Sequence, residues 1–498
     1  MAATPIPSCP QTVAGLVELR ARTHPHSEAL VDATRTLTFA EVDHETALVA
    51  ARLTADGFQT GDRVAMSGPN SVALMLGFLA AMRLGLLWVG ISRAYTDRER
   101  NELLGDCAAR LFAVDISGSP DAGLATVVAA NWPEIDPFAP AVIAYTSGTT
   151  GVPKGVVHSQ RNLVLPGVVA RFRNEGGGRN GVYLPLTSVN LQCLGPIYSL
   201  VNATTCIAIA VTNSRDVAAA IQHHGVERIA ISAATVIDFV SDDAITPTQL
   251  ATLTEIAVGG STSPEWLFDA YTHKFGQRLV TGYGLTEGPT SVTRTDPTAS
   301  RLPGSNGRPL PHLAVEICDD NGAILPPGGI GEVCVRGAVD GPFANVYTPM
   351  LGYWNLPEMS AKTIRHGRTH TGDIGWLDES GALHIEDRRV DLIVRGGTNV
   401  YPAEIERILN ADLRIAASAV IGKFDERLGQ VPVAFIVSHP DTTIAHDDVM
   451  TICSENLARF KWPAEIRFVD QLPRNAMGKV LRTQLRQLLD EEHPNGRR

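Results

Sequence analysis

Between residues 60 and 300, short apolar runs recur with helix-spaced stretches between them: RVAMSG, LLWVGI, ARLFAV, AVIAYTS, TCIAIAV, RIAISAA, EIAVGGS and RLVTGYG. Strands of this kind are apolar on both faces and need cover on both. The alternation therefore predicts a layered α/β architecture with substantial parallel sheet. Several polar, glycine-containing signatures fall where these runs end, at the carboxyl side of strands, where open α/β sheets place ligands. The one membrane-like stretch, SVALMLGFLAAMRLGLLWVGI at 71–91, is interrupted by Gly77, Arg83 and Gly85. A mid-bilayer arginine is costly, so a buried helix running into a strand is expected there, and no transmembrane segment.

With 498 residues the chain is too long for one core. Residues 301–386 turn rich in Gly and Pro, with short alternating strands such as AVEICD, GEVCVRG and ALHIED, as in a small β subdomain. DRRVDLIVRGGTNVYPAEIERIL then begins a different pattern: two short strands, a glycine turn, and a helix opened by Pro402 with Glu404 and Glu406 in its first turn. The expected organisation is a large N-terminal domain over 1–386, a hinge at 387–391, and a small mobile α+β domain over 392–498. In the last of these, LGQVPVAFIV reads as a strand and DDVMTICSENLARF as a helix.

The densest chemical signature is YTSGTTGVPKGVVH at 145–158. Gly148, Gly151 and Gly155 allow backbone N–H groups to turn toward an anion. Thr146, Ser147, Thr149 and Thr150 add hydroxyl donors, and Lys154 adds a point charge. Such a loop suits a polyphosphate. The common P-loop pattern cannot be laid onto it, because Lys154 is followed by Gly155 and preceded by a proline. GGGRNG at 176–181 has dinucleotide-like spacing but no evident strand and helix around it, so it reads as a flexible turn.

A net charge of −11 argues against a general nucleic-acid or anionic-membrane surface. Seven cysteines without a CxxC pair indicate neither a zinc site nor a disulfide framework, and residues 1–20 lack the pattern of a secretory signal. A cytoplasmic protein with no nucleic-acid partner is expected.

Four further segments complete the pattern: TGYGLTEG at 281–288, THTGDIGWL at 369–377, DRRVD to PAEIE at 387–406, and LPRNAMGKVLR at 472–482. With the loop at 145, GYWNLPE at 352–358 and VGGSTSPE at 258–265, they resemble, in order, the adenylate-forming superfamily, in particular its acyl- and aryl-CoA synthetases. The resemblance implies an ATP-dependent acid–thiol ligase. Such an enzyme uses Mg²⁺, converts a small carboxylic acid to its acyl-adenylate, and passes the acyl group to coenzyme A. It also implies roles for residues. Thr286 would touch the α-phosphate, and Glu287, with Thr149, would hold the magnesium. Gly282 and Gly284 would bring backbone N–H groups to the same place. Asp373 would accept both ribose hydroxyls beside Arg388, with Gly260, Ser261 and Tyr283 around the adenine, the tyrosine offering a stacking face. Lys479 would bridge the α-phosphate and the carboxylate as charge builds at phosphorus. Rotation of the C-terminal lid about the hinge would then withdraw Lys479 and present Gly396 and Gly397 to the pantetheine thiol.

The sequence departs from the family in places. Val390 precedes Asp391 where the hinge usually carries Lys or Asp, and Val189 and Asn190 replace an aromatic–His pair. Ala234 stands where a proline is common, and Ser261 and Thr262 replace Ala-Pro. An acid pocket lined by Val189, Asn190, Ala234 and Gly260 is therefore expected to be more polar than a fatty-acid tunnel. Two alternatives stand beside the CoA ligase: a stand-alone adenylation enzyme that loads an acyl carrier protein or another acceptor, and a non-catalytic nucleotide or acyl sensor.

Overall fold

The computed structural model describes residues 4–492, apart from 114–131, 147–152, 174–177, 212, 260–264, 300, 389–390, 392, 396–397, 426–427, 441, 458 and 476–477. Two sheets carry the N-terminal region. The first has seven strands in the order Leu279–Thr281, Glu255–Val258, Arg228–Ile231, Arg179–Val182, Thr205–Ala208, Glu28–Val31 and Thr36–Thr38, all parallel except the last. The second has six, in the order Gly352–Tyr353, Lys154–Ser159, Pro140–Thr146, Leu87–Gly90, Arg63–Met66 and Arg110–Leu111. Parallel strands fill its far end, and the first two pairings are antiparallel.

The largest apolar core joins the two sheets. It draws on helices Val13–Thr23, Phe39–Ala55, Val72–Leu84 and Gln160–Phe172, with Trp88 and Phe78 in edge-to-face contact at its centre. Val72–Leu84 is the helix expected from the long apolar stretch. It opens on Ser71, whose hydroxyl accepts from the Leu74 N–H, and it is buried along nearly its whole length. Its Arg83 is 3 % exposed and is met by the Asp43 carboxylate and carbonyl, so the charge is compensated within protein. No helix among the described residues is long and apolar enough to cross a membrane.

One expectation fails here. The RNG half of GGGRNG is not a flexible turn, since Arg179–Val182 is a strand inside the seven-stranded sheet, hydrogen-bonded on both sides and following the helix Gln160–Phe172, while Gly176 and Gly177 lie outside the described residues. Arg, Asn and Gly are poor strand formers. The pairing partners decide the conformation at this position, and tertiary context overrides local preference.

Residues 313–388 form a five-stranded antiparallel sheet: Leu313–Cys318, Gly331–Gly337, Arg368–Leu377, Ile364–Arg365 and Leu383–Arg388. Beyond it lies the expected small α+β unit. Strands Ile393–Arg395, Thr398–Val400, Ile415–Asp425 and Gly429–Ser438 are antiparallel, and Glu465–Phe468 adds in parallel. Helices Pro402–Leu409 and His446–Asn456 cover one apolar cluster, and helix Arg482–Glu492 contributes Leu485 and Leu489 to another. The helix expected over 447–460 stops at Asn456, and a 3₁₀ turn follows at Arg459–Lys461.

Candidate functional site

The described ends of the phosphate-loop signature lie on two paired antiparallel strands of the six-stranded sheet. Thr146 ends one strand, Lys154 begins the next, and the two are register partners. Ser147, Gly148, Thr149, Thr150 and Gly151 lie outside the described residues. The strand pair is anchored at Tyr145, whose hydroxyl donates to Asp106 Oδ2 at 2.5 Å. Burial raises that phenol's pKa, and the neighbouring carboxylate adds to the effect.

Strand Gly352–Tyr353 pairs with the Lys154 strand and brings Tyr353 to the same end of the sheet. There the Lys154 ammonium lies 5.8 Å from the Tyr353 ring centroid, and the Tyr353 hydroxyl donates to Glu287 Oε1 at 2.7 Å. The sequence signature GYWNLPE contained Tyr353, but its contact with Glu287 is a property of the fold. The expected magnesium carboxylate and phosphate lysine thus share one tyrosine.

Glu287 is carried by the TGYGLTEG turn after strand Leu279–Thr281. This turn folds back on residues 290–293: Tyr283 N donates to Thr293 Oγ1 at 3.0 Å, and Gly284 bridges Ser291. The return is so close that a Cβ on Gly282 would stand 2.2 Å from the Thr293 carbonyl oxygen, and one on Gly284 would stand 2.6 Å from that of Thr290. Both positions require glycine because another backbone occupies the side-chain space. Thr286 and Glu287 at the tip are half-buried.

A second group forms where this turn meets the β subdomain. The Tyr283 hydroxyl donates to Asp373 Oδ2 at 2.5 Å, with Asp373 5 % and Tyr283 9 % exposed. The tyrosine therefore presents its hydroxyl to the expected ribose carboxylate, in addition to any ring face it offers. Asp373 is inside the strand Arg368–Leu377, directly after Gly372 at φ +73°. Its register partner across the sheet is Arg388, so the backbone places the expected ribose pair opposite one another.

The remaining candidates are more dispersed. Val189 is buried in the main apolar core, Asn190 is half-exposed with Oδ1 accepting from Ser188 Oγ at 2.5 Å, and Ala234 is exposed on the first turn of helix Ala233–Ser241. Gly260, Ser261, Gly396, Gly397 and Val390 lie outside the described residues. Lys479 belongs to the C-terminal unit. It sits on a tight loop closed by its N–H to Asn475 Oδ1 and by the Asn475 N–H to its carbonyl, both at 2.9 Å. Asp391 is buried, accepting from Arg482 Nη1 at 3.2 Å and Arg486 Nη2 at 2.7 Å.

Glu332, Cys334 and His370 also cluster with metal-ligand atom types, in the β subdomain. Glu332 Oε1 accepts from the Gly372 N–H at 3.2 Å, Oε2 lies 3.8 Å from Arg365 Nη2, and His370 Nδ1 is 2.9 Å from Oε2, so the carboxylate is already met by a backbone N–H and a guanidinium. The trio is a satisfied polar cluster, and nothing in it calls for a cation.

The structure thus brings a half-buried carboxylate on a turn and a lysine on a strand to one tyrosine, with a buried aspartate where the turn meets the β subdomain. Residues 17–354 match the family model described as AMP-binding enzyme, and residues 404–479 match the AMP-binding enzyme C-terminal domain. The chain belongs to this adenylate-forming family. It is 31% identical to the fatty acid–[acyl-carrier-protein] ligase ScoC of Streptomyces coeruleorubidus over 96% of both chains. It is 33% identical to a 2-succinylbenzoate–CoA ligase of Geobacillus kaustophilus, over 96% of this chain and 98% of that one. The structure of O-succinylbenzoate coenzyme A synthetase MenE from Bacillus subtilis, in complex with ATP and magnesium ion, matches with a TM-score of 0.82. It is 28% identical, over 95% of this chain and 99% of that one. The protein is accordingly an ATP-, Mg²⁺- and coenzyme A-dependent ligase of the acyl-CoA synthetase type.

Proposed function

We propose that the two residue groups around Glu287 and Asp373 are the triphosphate and ribose ends of one ATP site, serving a ligase that joins a small, functionalised carboxylic acid to coenzyme A. The observation that carries this reading is the shared contact of Lys154 and Glu287 with Tyr353, which brings a cation and a hard oxygen ligand to one side chain at the end of the sheet. Glu287 suits Mg²⁺, because a carboxylate is the preferred protein donor for that ion and Tyr353 orients it by holding Oε1. When bound, the metal neutralises phosphate charge.

A carboxylate is a poor acyl donor because oxide leaves badly. Attack of the acid's oxygen on the α-phosphorus of ATP forms the acyl-adenylate and releases pyrophosphate. Lys154 binds the phosphates, Thr286 supports the α-phosphate, and Asp373 with Arg388 holds the ribose. Lys479 stabilises the charge that grows between carboxylate and α-phosphate. In the second half-reaction the pantetheine thiol, losing its proton, attacks the acyl carbonyl, and AMP leaves with the bonding electron pair. The segment 387–391 serves as the hinge between the two arrangements, with Gly396 and Gly397 along the thiol's approach.

For the acid, the Ser188 hydroxyl engages one lone pair of Asn190 Oδ1 and so orients the amide, whose two N–H donors are available to an oxygen of the ligand. That favours an acid with a second oxygen function over a plain alkyl chain. A carrier-protein acceptor is the second reading, supported by the similarity to ScoC. We assign the protein to the cytoplasm, where its seven unpaired thiols, six of them buried, suit a reducing compartment. The test supplies short, branched, aromatic, oxygenated and long-chain acids with ATP and either coenzyme A or a phosphopantetheinylated carrier, and follows pyrophosphate and thioester. Acid-dependent pyrophosphate release with thioester on coenzyme A is expected. Thioester on the carrier alone overturns the acceptor, and no pyrophosphate with any acid overturns the reading.

A further inference from the structure

We propose that His158 is a positioning residue for the magnesium carboxylate: its neutral imidazole holds the Thr286–Glu287 turn against the same strand that carries Lys154. The proposal rests on the assignment of Glu287 to Mg²⁺ made above.

His158 is fully buried near the end of strand Lys154–Ser159, and its Nε2 lies 2.7 Å from the Thr286 carbonyl oxygen. A carbonyl can only accept, so Nε2 carries the proton. The opposite nitrogen, Nδ1, is then a bare acceptor, and Asn162 Nδ2 faces it at 3.4 Å. Burial keeps the ring neutral, because desolvation pushes the imidazole down to about 4.

Asn162 extends the connection to the other side of Glu287. Its Nδ2 donates to the Pro349 carbonyl at 2.9 Å, and its Oδ1 accepts from the Thr348 hydroxyl. Residues 348–354 are the segment that delivers Tyr353, and they are tied to the His158 strand by Leu351 N to Val157 O at 2.8 Å and Trp354 N to Gly155 O at 2.7 Å. Both segments that locate Glu287 are therefore fastened at one place: its own turn through His158, and its partner Tyr353 through Asn162. Backbone at the tip of a turn has few partners of its own, so one buried donor on the carbonyl preceding Glu287 sets the direction of the following side chain. Lys154 is four residues away on the same strand, so the strand that meets the Glu287 turn through His158 also carries the lysine.

The experiment measures binding of ATP to the full chain in the presence of Mg²⁺ and in EDTA, by calorimetry, for wild type, His158→Gln, His158→Asn and His158→Met. A glutamine amide reaches the place of Nε2 and can donate to the Thr286 carbonyl. An asparagine amide reaches only the place of Nδ1. The expected result is that Asn and Met variants bind Mg·ATP about tenfold more weakly, the loss of one buried hydrogen bond. Their affinity for metal-free ATP should be unchanged, and the Gln variant should stay within threefold of wild type. Equal losses with and without metal, or a Gln variant as impaired as the Asn variant, would overturn the proposal; the Gln and Asn pair decides even where Met fails to fold. Should wild type itself fail to bind Mg·ATP, it is the ATP-site reading that falls.

Discussion

Asp391→Ala is the most demanding perturbation of the proposed hinge. Asp391 is 8 % exposed and holds Arg486 at 2.7 Å and Arg482 at 3.2 Å, both on the final helix, Arg482–Glu492. Breaking a fully buried ion pair costs about 3–5 kcal/mol because a charge remains uncompensated. Two features lower that figure here. Arg482 keeps both oxygens of Glu406, at 2.7 and 2.9 Å, and the Arg486 side chain is 33% exposed, so water can take over its hydration. A loss of about 2 kcal/mol is expected, confined to the attachment of the final helix, whose other anchors are Leu485 and Leu489. Hydrogen exchange on the full chain reads this directly: amide protection over 482–492 should fall roughly 30-fold, while the strands of the N-terminal sheets keep theirs. Asp391→Asn, which retains size but not charge, should show most of the loss. Because Lys479 lies three residues before this helix, acid-dependent pyrophosphate release should fall with it. A change in helix protection of less than about threefold would refute the view that this carboxylate fastens the proposed hinge to the final helix.

Lys479→Ala should slow adenylate formation by about a hundredfold or more while leaving thioester formation from supplied acyl-AMP largely intact, and equal loss of both in half-reaction assays contradicts that division. Tyr283→Phe removes the hydroxyl at 2.5 Å from buried Asp373; a bond to a charged group is worth about 1.5–3 kcal/mol, so the KM for ATP should rise by an order of magnitude or more with little change in kcat, and an unchanged KM argues against Asp373 as the ribose acceptor. His158 stays neutral in the folded protein down to about pH 4, whereas in the unfolded chain it gains its proton near 6.5. The unfolded state thus binds more protons in that window. Its contribution to stability is complete above about pH 6.5 and falls by about 3 kcal/mol as pH drops to 4. Denaturant midpoints at pH 7 and 4.5 should therefore differ less in His158→Gln than in wild type.

Much of this molecule could be read locally. The alternating apolar runs became strands of two layered sheets, because side chains apolar on both faces have one economical placement, and the Gly/Pro-rich segment became the antiparallel β subdomain. Of the ordered signatures that led to the family, TGYGLTEG shows why such residues are legible locally: its turn leaves no room for a side chain at Gly282 or Gly284. The failure at RNGV has the opposite cause: its strand exists only because Thr205–Ala208 and Arg228–Ile231 flank it. The same holds for the site's supporting contacts. Tyr353, Asn162 and Asp106 carry no local sign of their partners, since hydrogen bonds between residues 66, 187 and 39 positions apart depend on how distant segments pack. Sequence alone determined which chemistry the chain can perform, through residue types at close spacing. Tertiary structure decided how those groups are aimed, because direction is set by neighbours that are remote along the chain.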